Sequence, residues 1–239
     1  MVRLRAFRAT DDRESSEKFI EGHTRVLTSV GVTKVTSNKH EWMERDSVFV
    51  LVVEDMEGKE VLGGARIHVY DGENPLPVEE ATGYMDDKIE PFIAGYGSRG
   101  TGEICGLWNS RKVAGMGFGS VFLTRAAVSL TTQIGINSLF ALCAPYTVST
   151  AARFGYQVVE EMGNNGTFYY PKLDLLATFM LLPDTNTIET ARKLEKDKIA
   201  EMRSNPKLVS TERTKISTID IHYDLELNIH NLEEFHIGT

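Results

Sequence analysis

The sequence predicts an α/β protein: a mixed, largely antiparallel central sheet flanked by helices, followed by a C-terminal extension of one helix and one long strand. Three observations carry that expectation. Residues 47–54 and 61–70 are apolar runs joined by the turn Asp55-Met56-Glu57-Gly58-Lys59, the pattern of a β-hairpin. Residues 102–108 read as a strand that runs into a glycine-rich loop and then a helix-like segment. In the tail, Ile219, Ile221, Tyr223, Leu225, Leu227 and Ile229 alternate with Asp220, His222, Asp224, Glu226, Asn228 and His230, which is the period of a half-buried strand.

The other elements follow in chain order. Residues 2–7 alternate apolar and basic side chains as a first strand. Thr10 or Asp11 caps a helix with Phe19, Ile20, His23, Leu27 and Val30 on its apolar stripe. Residues 71–100 are rich in Gly, Pro and acids and read as a long surface excursion with one short helix at most. Residues 120–133 form a helix, residues 138–144 a buried strand, and Thr147 caps a short helix that stops at Gly155. Residues 156–161, 167–170 and 173–182 are strands, the last closing the main sheet. Thr187 opens an amphipathic helix through Ile188, Ala191, Leu194, Ile199 and Met202. The division expected is residues 1–183 for the main domain and 184–239 for the extension. The tail strand needs a sheet edge, either within its own chain or on a second copy, as in a homodimer.

With 239 residues, 41% of them hydrophobic, the chain can bury a sizeable core. A formal net charge of -8 argues against a nucleic-acid partner, which would select a basic face. No apolar run approaches a membrane span and no signal-type segment opens the sequence, so a cytoplasmic protein is expected. Cys105 and Cys143 lie in apolar segments without a neighbouring His or basic cluster, and read as reduced, buried side chains.

The glycine-rich loop is the chemical centre of the sequence. Glycines at 115, 117 and 119 leave backbone N–H groups uncovered, and a helix opening behind them adds its own unpaired N–H groups and dipole. Such an arrangement holds a pyrophosphate. A dinucleotide fold is excluded by the Gly-x-Gly-x-Gly spacing, by the polar residues 109–112 before it, and by the lack of an acid closing the next strand. A nucleoside-triphosphate loop is excluded because no Lys-Ser or Lys-Thr follows the glycines.

From Leu107 through Gly119 the segment resembles the GNAT acyltransferase family, in which a strand, a Gly-x-Gly-x-Gly loop and a helix bind the pyrophosphate and pantetheine of an acyl thioester. The helix ending Arg153-Phe154-Gly155-Tyr156 agrees with that pattern. The resemblance spans residues 2–182. It departs from the family at Ala114, where an Arg or Gln is usual, and at Ala151, the place of a Tyr acid. It implies donor contacts at Leu107, Trp108, Asn109, Arg111, Lys112, Gly115, Met116, Gly117, Phe118, Gly119 and Ser120. Arg111 and Lys112 either serve the phosphates or are an exposed basic pair. Gly63-Gly64-Ala65-Arg66-Ile67, Asp46 and Glu103-Ile104-Cys105 are similar to the branch of acyl-homoserine-lactone synthases and N-acyl amino acid synthases, with Gly106 where that branch carries Arg.

The activity so implied is transfer of an acyl group from acyl-CoA or acyl-carrier protein to a small amine, without a metal. Glu103 is the candidate base, its flanking Gly102 and apolar Ile104 expected to raise its pKa by desolvation; the alternative is a strand Glu in a surface ion pair. A backbone N–H near Leu107 or Trp108 would face the oxyanion. Asp46 and Arg66 either pair structurally or orient the acceptor. Trp42, Trp108, Phe92 and Phe118 line an acyl pocket or pack in the core. His222, Asp224 and His230 read as a solvated strand face rather than a metal site. The reading from another class is a non-catalytic acyl-thioester-binding module, on the grounds of Ala114 and Ala151.

Overall fold

A computed structural model describes residues 1–31, 40–214 and 217–229. Its strands are β1 (Val2–Arg8), β2 (Val48–Glu54), β3 (Val61–Val69), β4 (Thr101–Asn109), β5 (Ser138–Cys143), β6 (Gln157–Val158), β7 (Thr167–Tyr169), β8 (Leu176–Leu182), β9 (Val209–Arg213) and β10 (Thr218–Asp224). They form one sheet in the order β6-β8-β5-β4-β3-β2-β1-β10-β9, with β7 also on β8. The β4–β5 and β1–β10 pairs are parallel and the others antiparallel. The helices are α1 (Arg13–Ser29), α2 (Pro77–Thr82), α3 (Ile89–Gly97), α4 (Leu123–Leu130), α5 (Pro145–Arg153) and α6 (Lys193–Ser204).

Helices cover both faces, so the central strands are apolar on both sides: every residue of β2 is buried. On one face Leu4, Phe49, Ile67, Ile104 and Leu139 pack with Leu123, Ala127 and Leu130 of α4, Phe154 at the end of α5, and Ile199 and Met202 of α6. On the other, Phe19 and Ile20 of α1 meet Phe7, Val50 and Val52 beside Trp42 and Trp108. Further along that face, α2 and α3 cover Phe140 of β5 and Phe179 of β8, whose rings stack 5.4 Å apart.

Several expectations are corrected. The cap of α1 is Asp12, whose carboxylate accepts from the Ser15 amide at 3.0 Å; residues 9–11 form a 3-10 turn instead. Val30 of the expected stripe is exposed. Residues 71–100 are not a surface excursion: Leu76, Val78, Ile89 and Ile93 bury themselves, and two short helices form. The strand expected over 156–161 shrinks to β6, because residues beyond it turn back through Gly163 and Gly166. Asp184 draws Asn186 and Thr187 into a turn, so the helix starts at Lys193 and leaves Leu194 exposed.

The tail strand ends at Asp224, not at residue 230. From there Gln133 captures the chain, donating to the Leu225 carbonyl at 2.8 Å and accepting from the Leu227 amide at 2.9 Å. His230 lies outside the described residues. Both sides of β10 are taken within the chain, by β1 and β9, so β8 is not the last strand and no second copy is needed to pair β10.

A buried ion network fastens the C-terminal elements. Arg125 of α4 donates from Nε to Glu195 of α6 at 3.0 Å, and its Nη1 lies 3.1 Å from Glu212 of β9. Arg153 of α5 donates to the other Glu195 oxygen at 2.5 Å. Glu195 is 0% exposed and Arg125 3%.

Candidate active site

The parallel pairing of β4 and β5 covers Thr101–Glu103 against residues 138–140 and then stops. Beyond it, β4 stays with β3 and β5 stays with β8. The two strands therefore part, leaving backbone groups on facing edges that an extended ligand can use as a third strand would.

Just past the parting point, β4 bulges. Arg66 faces Cys105 and Gly64 faces Trp108, so Ala65 opposes both Gly106 and Leu107. Gly106 takes φ +59°, a conformation that costs an L side chain roughly 1–2 kcal/mol. The extra residue resets the alternation. Cys105 lies by Arg66, and Trp108 again points toward α1, its ring 6.0 Å from Phe19 and filling the space that Gly22 leaves open.

The glycine loop follows. Gly115 and Gly117 have φ +78° and +84°. The Gly117 carbonyl accepts from Val121 and Phe122, starting a π-type turn (Phe118–Phe122) that continues directly into α4. Among the described residues the amides of Gly117, Phe118 and Gly119 meet no carbonyl of the chain, as a helix start dictates. Gly119 sits tight against the Asn109 side chain: a Cβ there would fall 2.6 Å from its amide nitrogen, so that side chain would have to shift. The loop thus presents main chain rather than side chains. Phe118 is wholly buried against Phe122, and Met116 packs on the core. Ser120 contributes its position in the π turn. Leu107 leans on the core, and Trp108 is a core side chain. Lys112 is engaged by Glu60 at 2.6 Å on the surface, an exposed pair worth about 0–1 kcal/mol, and Arg111 is exposed.

Glu103 stands where the strands part and is 2% exposed, which overturns the surface ion-pair alternative. Its Oε2 accepts from the Val78 amide of α2 at 2.7 Å. Burial pushes its carboxyl up to about 8; the Val78 amide opposes the shift and the nearby Glu79 charge adds to it. Arg66 is fully buried, its guanidinium 4.3 Å from the Trp42 ring and donating to Cys105 Sγ at 3.8 Å. Asp46 is on the surface, accepting from Thr10 at 2.7 Å, so these two acceptor-side candidates occupy different environments. Burial pushes the Cys105 thiol up to about 12 and Cys143 to about 11, leaving both inert at neutral pH. Trp42 is core, and Phe92 packs edge-on to Phe140 and Phe179.

The sequence reading missed three features. One is the Val78 amide holding Glu103, hidden because residues 71–100 carry no clear periodicity. Another is the bulge, signalled by Gly106 inside an apolar strand. The third is Tyr156, 3% exposed, whose hydroxyl burial holds well above its ordinary range and on which the charges of Cys143 and Glu103 act. Among the described residues no group of three or more His, Cys, Asp or Glu is placed to hold a metal ion, and no helix is long and apolar enough to cross a membrane.

The parted β4 and β5, the bulge on β4 and the glycine loop opening α4 define the GNAT-type acyltransferase fold. Solved structures bear this out. FeeM, an N-acyl amino acid synthase from uncultured soil microbes, superposes with a TM-score of 0.60 at 12% identity, over 82% of this chain and 98% of its own. BjaI, a CoA-dependent acyl-homoserine lactone synthase with SAM and isopentyl-CoA, reaches 0.55 at 13% identity, over 98% and 97%. An acyl-CoA N-acyltransferase from Pseudomonas aeruginosa reaches 0.52 at 12% identity, over 76% and 99%. No protein-family model matches the sequence, and no curated protein matches it.

Proposed function

We propose that this chain is an N-acyltransferase that moves an acyl group from a thioester carrier, acyl-CoA or acyl-carrier protein, to the amine of a small molecule. The observation that carries the reading is one gap with a loop of unpaired main-chain amides at its far end and a buried carboxylate where it begins. The amides of residues 115–120 take the pyrophosphate or phosphate of the carrier arm, and the facing strand edges pair with its pantetheine amides. The thioester carbonyl then lies beside the bulge, where a preorganised amide contributes about 3 kcal/mol to holding the oxyanion.

Glu103 takes one proton from the substrate ammonium, freeing the lone pair that attacks the carbonyl carbon. The tetrahedral intermediate collapses with loss of thiolate. Tyr156 protonates the sulfur, and the second N–H proton of the nitrogen replaces the one Tyr156 gave up. The products are an amide and a thiol, with one proton left on Glu103.

A second reading narrows the acceptor to an amino acid or a similar amine bearing an anion, as in the N-acyl amino acid and acyl-homoserine lactone synthases. The buried cation of Arg66, on the Glu103 side of the sheet, favours it. The chain is read as acting in the cytoplasm.

Isothermal calorimetry with acetyl-, hexanoyl- and dodecanoyl-CoA and with the matching acyl-carrier proteins tests the donor. Binding of either class with release of thiol on adding amines supports the enzyme. Binding without turnover of any amine leaves the non-catalytic binding module, and no heat with either donor removes the proposal. Gly117→Ala is expected to weaken donor binding about tenfold, or about 1.4 kcal/mol. Its Cβ meets nothing closer than 3.6 Å, so the effect comes from the φ of +84° and not from a clash. An unchanged Kd would take the loop out of the site.

A further inference from the structure

We propose that Glu79 is the second carrier in a two-carboxylate relay that takes the proton collected by Glu103 out to solvent. This rests on the acyltransfer reading above. Each turnover leaves one proton on Glu103, which must lose it before the next ammonium can be deprotonated. Glu103 is 2% exposed, so it needs a carrier.

The geometry supplies one. Glu103 Oε2 accepts from the Val78 amide at 2.7 Å, and Glu79 Oε2 accepts from the Leu76 amide at 2.6 Å. Those amides are two residues apart, at most about 7 Å along the chain, so both carboxylates sit at the same end of α2. Glu79 is itself 7% exposed. Beyond it come Glu90 of α3, on the surface, and Asp71 and Tyr70 after β3, both half-buried.

The surroundings favour sharing a proton. Glu79 feels the negative charges of Glu90 and Asp71. Glu103 feels Glu79 and Glu80 from α2 and the opposing cation of Arg66 from β3. Its register neighbour His68 is held neutral by burial and by the charges of Arg66 and Arg45. On the β5 side, Cys143 and Tyr156 are likewise held protonated. Two close carboxylates in such a place titrate as a pair, one holding a proton while the other is ionised. Burial pushes Glu79 up to about 7, against about 8 for Glu103. The step is a transfer of one proton from the Glu103 carboxylic acid to the Glu79 carboxylate, through water, and then to bulk. No other bond changes.

Glu79 also caps α2 by accepting from Leu76, so the test must separate the two roles. Glu79→Gln keeps an acceptor oxygen for that amide and removes the titration. In the full chain it is expected to keep acyl-CoA affinity, to melt no lower than the parent, and to lower kcat at least tenfold. The kcat–pH midpoint should move to lower pH, because a negative neighbour of Glu103 is gone, and small diffusible buffers should restore part of the rate. A kcat–pH profile superimposable on the parent's, or a rate loss with no response to buffer, would overturn the relay. Infrared titration of the carboxylic C=O band reads the pair without turnover: the Glu103 step should move to lower pH in Glu79→Gln, and an unmoved step counts against the relay. No turnover by the parent with any amine would instead bring down the acyltransfer reading, and the relay with it.

Discussion

Glu103→Gln is expected to lower kcat at least about 100-fold while acyl-CoA binding, read by calorimetry, stays within about twofold. Gln preserves the hydrogen bond from the Val78 amide at 2.7 Å and loses only the ability to take a proton. In the parent, the rate should rise with pH through about 8, since the base works as a carboxylate and burial pushes it up to about 8. That limb should vanish in the variant. Stability gives a second readout. The folded-state pKa of Glu103 lies above its unfolded value near 4.5. The contribution of Glu103 to stability is therefore complete below about 4.5 and is lost as pH rises through about 8, at up to about 1.4 kcal/mol per pH unit. Glu103→Gln should be free of that loss, so urea unfolding at pH 9 should find the variant more stable than the parent. Equal turnover in the two proteins would remove Glu103 from the chemistry.

Arg125→Met is expected to cost about 3–5 kcal/mol of folding stability, because it leaves Glu195 with Arg153 alone and takes the buried guanidinium from Glu212. Both carboxylates are nearly sealed, at 0% and 7% exposure. The measurement is urea unfolding of the full chain, with hydrogen exchange expected to rise first in β9 and α6. Adding Glu212→Gln to Arg125→Met should recover part of the loss, since the buried charge left without its guanidinium then disappears. Arg125 also sits on the helix that begins at the glycine loop, so donor affinity should fall along with stability. A loss under 1 kcal/mol would mean that water reaches the network and the pair behaves as a surface one.

Much of this architecture was legible in the residues. The β2–β3 hairpin, β4 and β5 follow from apolar runs and the glycine loop from its spacing; α5 ends before Gly155 as expected, but it starts at Pro145 with Ala144 as its cap, so Thr147 lies inside it. What escaped the sequence depended on contacts far along the chain. Nothing in residues 71–100 tells that Leu76 and Ile89 find a hydrophobic bed on Phe140 and Phe179. The alternation in the tail is real, but Gln133, more than ninety positions away, decides where the strand stops. Within the site, Glu103 was readable as an acid on the strand leading to the loop. Its desolvation was also expected, from Gly102 and Ile104 on either side; the Val78 amide of α2 that holds it was not. The family resemblance implies donor contacts at Phe118 and Trp108, yet their rings are spent on the core and only their main chain remains for a ligand.

The parallel partnership of β1 and β10 has a consequence for biosynthesis. Val2 finds its ladder partner in Ile221, so the outer rim of the first strand waits through more than two hundred further residues of translation. During that interval the unpaired backbone edge of the strand is open to any extended polypeptide nearby. The nascent chain is therefore expected to need chaperone shelter until β10 emerges, and truncation ahead of β10 should yield insoluble material.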